Sequence, residues 1–140
     1  MNRRVLLDTG PLVALLNGRD KHHQWTRLQW SQAAPPLLTC EPVLSEACFL
    51  LRAASGGSEA VMELLRRHVI EVAFRLEDHV EAVARLMRKY ADVPMSLADG
   101  CLVRMAELSP ESAVLTLDHD FRLYRKGGRQ VVPVITPRQP

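Results

Sequence analysis

The stretch VLLDTGPLVALL, residues 5–16, joins two apolar patterns across one aspartate. Val5, Leu6 and Leu7 form the kind of run that makes a buried strand. Pro11 to Leu16 open an apolar helix, with proline suited to its first turn. Asp8 is the only charged side chain between them. A lone carboxylate costs several kcal/mol to bury unless a partner or a proton offsets its charge. The stretch therefore predicts a strand, a turn and a helix, and it raises the question of what faces Asp8.

Outward from this start the same alternation recurs. Residues 21–33, KHHQWTRLQWSQA, predict a helix with Trp25 and Leu28 on one face. PPLLTC (35–40) reads as a short strand, and Glu41 and Pro42 then open a helix that stops at Gly56-Gly57. Ser58 is the expected N-cap of EAVMELLRRH, and VIEVAF (69–74) alternates as a strand. EDHVEAVARLMRKYA (77–91) is amphipathic, with Val80, Val83, Ala84 and Met87 at helical spacing. After Pro94, Ser96 or Leu97 begins LADGCLVRMAEL. SAVLTL (112–117) is a strand ending at Asp118, and VVPVI (131–135) is a last strand whose Pro133 points to a sheet edge. Strands alternating with helices predict an α/β fold whose parallel sheet is covered on both faces. In such sheets ligands sit beyond the carboxyl ends of the strands, where Asp8 and Asp118 both fall.

A length of 140 residues predicts one domain over residues 1–140. Apolar residues make up 47% and charged ones 24%, ordinary for a soluble protein, and a net charge of +2 is too small to argue for nucleic acid. The basic runs RLMRKY and FRLYRKGGR read most simply as solvated faces. Cys40, Cys48 and Cys101 are odd in number and form no C-x-x-C pair; Cys48 and Cys101 read as small core residues, and a reducing, cytoplasmic compartment is expected. The apolar run before Asp8 is too short for a signal peptide, and no segment approaches the roughly 20 apolar residues of a membrane span.

Four acids are embedded in apolar sequence: Asp8, Glu46 in VLSEACFLL, Asp99 in MSLADGCLV, and Asp118 in VLTLD. The helix carrying Glu46 reads as apolar nearly all round and therefore buried, so that its glutamate has a specific target. Each acid also has a simpler role available. Asp8 could cap the following helix, Asp99 could favour a helix N-terminus, Asp118 could shape the turn in LDHD, and Glu46 could pair with an arginine. Together they predict a convergent cluster, in which unit charges about 4 Å apart repel by about 4 kcal/mol at an effective dielectric near 20. Protonation relieves this, and so does a hard divalent cation. All-oxygen donors favour Mg²⁺ or Mn²⁺ over zinc, and such an ion acidifies a bound water into a nucleophile. His22, His23 and His119 read as surface residues.

Taken in order, LLDTGPLVALL, VLSEACFLL, SLADGCLV and VLTLDHDF resemble the PIN-domain family, and most closely the VapC-type ribonuclease toxins of prokaryotic toxin–antitoxin modules. The resemblance runs from Val5 to about Ile135. It implies a three-layer α/β/α fold and metal-dependent endoribonuclease activity, with one or two Mg²⁺ or Mn²⁺ ions held by Asp8, Glu46, Asp99 and Asp118. It implies a further metal or supporting role for Asp120, and carboxylate- or water-orienting roles for Thr9 and Thr116. Arg122, Arg125 and Lys126 are the basic residues nearest in sequence for holding the RNA backbone. Relatives of this kind form homodimers and are silenced by a small antitoxin protein that inserts an arginine among the acids. The rival readings are a catalytically silent scaffold of the same fold, an aspartate-based phosphatase and a receiver-type signalling domain. Gly10 stands where a phosphatase D-x-D motif needs its second aspartate.

Overall fold

The computed structural model describes residues 3–138. Strand β1 (Arg4–Leu7) is buried at three successive positions, as a strand covered on both faces must be. It leads through Asp8 into helix α1 (Thr9–Leu16), with Pro11 in the first turn. Helix α2 (His23–Gln32) follows, then β2 (Leu37–Thr39), α3 (Glu41–Leu50), α4 (Gly57–Arg66) and β3 (Ile70–Val72). A 3₁₀ turn, Leu76–His79, opens α5 (Val80–Lys89), and Pro94 separates that helix from α6 (Leu97–Leu108). Strand β4 (Ser112–Leu115) is followed by β5 (Arg125–Lys126), β6 (Gln130–Val131) and β7 (Val134–Ile135).

Five strands form one parallel sheet in the order β3-β2-β1-β4-β7, flanked by helices in a three-layer α/β/α arrangement. The chain builds outward from β1 to β3 and then crosses back to lay β4 on the other side of β1. The order therefore reverses between β1 and β4, where an open parallel sheet leaves a crevice beyond its strand ends. Helix α6 packs against both of these strands and against α3 and α5, and is buried almost throughout from Ala98 to Ala106. Gly100 permits the approach to α5, since a Cβ there would lie 3.3 Å from Val83 Cγ1 and 3.4 Å from Met87 Cγ. The core is largely aliphatic, with Tyr124 and Phe121 as its largest fully buried side chains. No helix among the described residues is long and apolar enough to cross a membrane.

Several local expectations are corrected. Helix α3 is not buried all round: Ser45, Glu46, Phe49 and Leu50 are exposed, while Val43, Leu44 and Ala47 face the core. In α2 the buried residue is Thr26, and Leu28 is exposed. Helix α4 is entered through Gly56 in a left-handed conformation (φ 85°) rather than capped by Ser58. The last strand divides at Pro133. Gln130–Val131 pairs antiparallel with β5 in a small ribbon, and only Val134–Ile135 joins the main sheet, at its edge.

Candidate active site

Local backbone chemistry places each acid before any ligand is considered. Asp8 caps α1, its Oδ1 accepting from the Thr9 N–H at 2.8 Å. Ser96 and Asp99 form a capping box: the Asp99 N–H donates to Ser96 Oγ at 3.0 Å, and the Ser96 N–H donates to Asp99 Oδ2 at 3.2 Å. Asp118 caps the 3₁₀ turn His119–Arg122 by accepting from the Asp120 N–H at 2.9 Å. The simple roles open to these three from sequence are therefore real. They leave the carboxylates at the crevice rather than explaining them away. Glu46 has no arginine partner among the described residues and lies exposed on α3, lining a groove of about 550 Å³ with Phe74, Leu76 and Leu97.

Two threonines tie the set together. Thr116, fully buried just past β4, donates its hydroxyl to Asp8 Oδ2 at 2.7 Å and accepts from the Asp118 N–H at 2.9 Å. Thr9 donates its hydroxyl to Glu46 Oε2 at 3.1 Å, which draws α3 toward the β1–α1 turn. Gly10 lets that turn approach the segment before Asp118, because a Cβ there would lie 3.2 Å from the Leu117 side chain. Sequence reasoning missed Tyr124. Its buried hydroxyl donates to Asp99 Oδ2 at 3.0 Å, and its ring packs edge-on against Tyr90 and Phe121. The signal was present as the apolar pair Phe121 and Tyr124, three apart, inside a stretch read only for its basic residues.

Burial pushes the Asp8 carboxyl up to about 7, against the opposing hydrogen bonds from Thr116 and Thr9, and the charges of Asp99 and Asp118 add to the rise. Asp99 is raised for the same first reason, and Asp118 contributes again. The Tyr124 hydroxyl is pushed well above its ordinary range by burial, then by the charge of Asp99 and the bond it donates there. The charge of Asp118 thus reaches both Asp8 and Asp99, and the charges of Asp120 and Asp118 both add to the rise at Tyr124.

The donor chemistry fits a hard divalent cation: carboxylate oxygens at one sheet end, mutually repelling, with no lysine or arginine ion-paired to them among the described residues. No three carboxylate, imidazole or thiolate groups among the described residues close on one point as a finished ion cage. Mg²⁺ retains several waters and takes only one or two protein carboxylates in many sites, so it does not require such a cage. Of the basic residues singled out from sequence, Arg122 is exposed, and Arg125 directs its guanidinium to the carbonyls of Arg122 and Tyr124. Lys126 is buried, with Nζ 3.5 Å from the Pro110 carbonyl.

Residues 5–127 match the family model described as PIN domain. A search of curated proteins finds no match. Among solved structures, the chain is similar to the crystal structure of Mycobacterium tuberculosis VapC20, a protein described as a Sarcin-Ricin loop cleaving toxin. The TM-score is 0.74 at 21% identity, covering 83% of this chain and 91% of that one.

Proposed function

This chain belongs to the PIN-domain family, and from that premise we propose that it is a Mg²⁺- or Mn²⁺-dependent endoribonuclease, the toxin of a toxin–antitoxin pair. The observation that carries the reading is Asp8: a carboxylate buried at the strand-order reversal, raised to about 7 and facing Asp99 and Asp118. A fold that spends free energy to desolvate two carboxylates, Asp8 and Asp99, beside a third charge has a use for a cation there. The likeness to VapC20 supports the fold, and its described activity suggests RNA as the substrate. The span of the family match supports one PIN-like domain over residues 1–140.

In this reading Asp8, Glu46, Asp99 and Asp118 hold one or two ions, with Asp120 assisting. A bound ion would supply an acidified water and a positive charge to offset that of the phosphate. Thr116 fixes the Asp8 carboxylate and the Asp118 backbone at once. Thr9 orients Glu46, and Tyr124 with Ser96 holds Asp99 in one rotamer. Water attacks phosphorus in line, the P–O3′ bond breaks, and a 5′-phosphate and a 3′-hydroxyl result. Arg122, exposed beside the acids in sequence, contributes a cation for the RNA backbone. The same four acids would attract an arginine of a small antitoxin, and a homodimer in the cytoplasm is the expected resting assembly.

A catalytically silent scaffold is the second reading, favoured by the absence of a closed ion cage among the described residues. The deciding experiment incubates partner-free protein with mixed labelled RNAs in Mg²⁺, Mn²⁺ or EDTA, alongside Asp8→Asn. Metal-dependent cleavage that is lost in the variant supports the nuclease. Intact RNA under every metal supports the scaffold.

A further inference from the structure

Away from the acids, α5, α6 and the β5–β6 ribbon enclose a second pocket of about 320 Å³. Arg85 and Lys89 of α5, Arg104 of α6 and Arg125 of β5 line it, against one carboxylate, Glu107. That carboxylate is already committed. Its Oε1 accepts from Arg104 at 3.2 Å, and its Oε2 accepts from the Gly127 N–H at 2.7 Å, stapling the ribbon to α6. Arg104 is held further by a 3.3 Å bond from Nε to His79 Nδ1.

The other three cations have no carboxylate within ion-pair distance among the described residues. Neutral groups hold two of them: Lys89 Nζ lies 3.4 Å from the Gly128 carbonyl, and Arg125 donates to two backbone carbonyls. Such contacts orient a charge without neutralising it. Arg85 and Lys89 stand four residues apart on α5, a like-charge spacing that works against the helix itself. Gly127 and Gly128, at φ 58° and 83°, close the pocket with backbone alone, and a Cβ at either would meet nothing within 4 Å. The pocket is thus built by hydrogen bonds, carries uncompensated positive charge, and is bounded at one end by a glycine turn.

We infer that this pocket binds a phosphate group of an RNA backbone, at a second anchoring point apart from the acids. The identity of that phosphate's owner rests on the nuclease reading above. Consecutive residues connect the two sites: Tyr124 reaches Asp99, while Arg125 lines the pocket and donates its N–H to the Tyr90 hydroxyl at 2.9 Å. A phosphate accepts from arginine forks and from a point-charge lysine alike, which suits this mixed set.

The test compares the full chain with Arg85→Gln/Lys89→Gln, both positions being exposed. Binding of a labelled single-stranded RNA oligonucleotide is read by anisotropy in EDTA across a salt series. The double variant is expected to bind roughly tenfold more weakly, with a salt slope shallower by about 1. With metal added, its KM for cleavage rises while kcat holds, and an unchanged melting temperature certifies its fold. Equal affinity and equal slope in the variant would overturn the proposal. If the wild type cuts no RNA, the nuclease reading fails separately. The pocket still stands if inorganic phosphate shifts the Gly127 and Gly128 amide resonances in the wild type and not in the variant, and it falls if the wild type shows no shift. Tighter binding of a polyglutamate peptide than of RNA of equal charge would assign the pocket to an acidic protein and overturn the proposal.

Discussion

Asp8 and Asp99 are buried and each is held by two donors, whereas Glu46 and Asp118 reach the same end of the sheet from exposed positions with one donor each. The buried pair is fixed by cap and hydroxyl contacts that persist with or without a ligand. The exposed pair is held by a single bond each and stays open to solvent. The contrast separates two jobs. Two acids define where a cation would sit and carry a folding cost for doing so, and two complete the site at almost no cost. In the proposed reading, the cation would be held where the fold is locally destabilised, a familiar trade of stability for activity.

The largest effect that could break this division is on pH-dependent stability. Asp8 binds its proton more tightly folded (about 7) than at its ordinary value of 3.8, so between those values the native state holds more protons than the unfolded one. Stability of the metal-free protein should therefore be greatest below about pH 4 for this group. It should fall as pH rises toward 7 and then level off, by up to about 4 kcal/mol. Urea titrations in EDTA from pH 4 to 8 would show it, and Asp8→Asn should remove most of the slope. A slope unchanged in that variant would mean that Asp8 carries no such burden.

Next comes activity. Loss of an outer partner of a metal ligand costs roughly 10–100-fold, so loss of the ligand in Asp8→Asn should cost at least about 100-fold in metal-dependent cleavage, about 3 kcal/mol. The same substitution should raise the melting temperature of the metal-free protein at pH 8. A buried catalytic group can do both at once; a purely structural one cannot.

Tyr124→Phe should fall between the extremes. It removes one hydrogen bond to Asp99 and little packing, so cleavage is expected to drop about tenfold and stability by about 1–2 kcal/mol. Single-turnover rates with saturating metal would check the first, and chemical denaturation the second. The smallest effect belongs to the exposed side. Glu46→Gln should move stability by less than about 0.5 kcal/mol while abolishing most cleavage. A large loss of stability there would erase the distinction between the two pairs.

The division was only half visible in the sequence. Asp8 was legible because a charge between a strand run and a helix run leaves few alternatives, and Asp99 because it falls in the first turn of a helix that opens just after Pro94. The parallel sheet followed from alternation alone. Glu46 was misread as buried because apolar neighbours cannot reveal that Phe49 and Leu50 turn outward. Such residues read as core in any periodic pattern, and only the packing of α3 against its neighbours decides. Tyr124 was hidden for a different reason. Its contact with Asp99 spans 25 residues and depends on how β5 returns across α6, which no local pattern encodes. Lys126 looked available because charge in a basic run is ordinarily solvated, yet the ribbon folds it inward.

The edges of the sheet carry a consequence of another kind. Strand β3 has three residues and β7 only two, with Pro133 directly before the latter. An intruding strand would find at either border too few free amides and carbonyls to establish a register, and on one side a proline at the entry. Brevity here acts as insulation: the sheet stops growing without closing into a barrel, and crowded copies of the chain have little edge on which to polymerise.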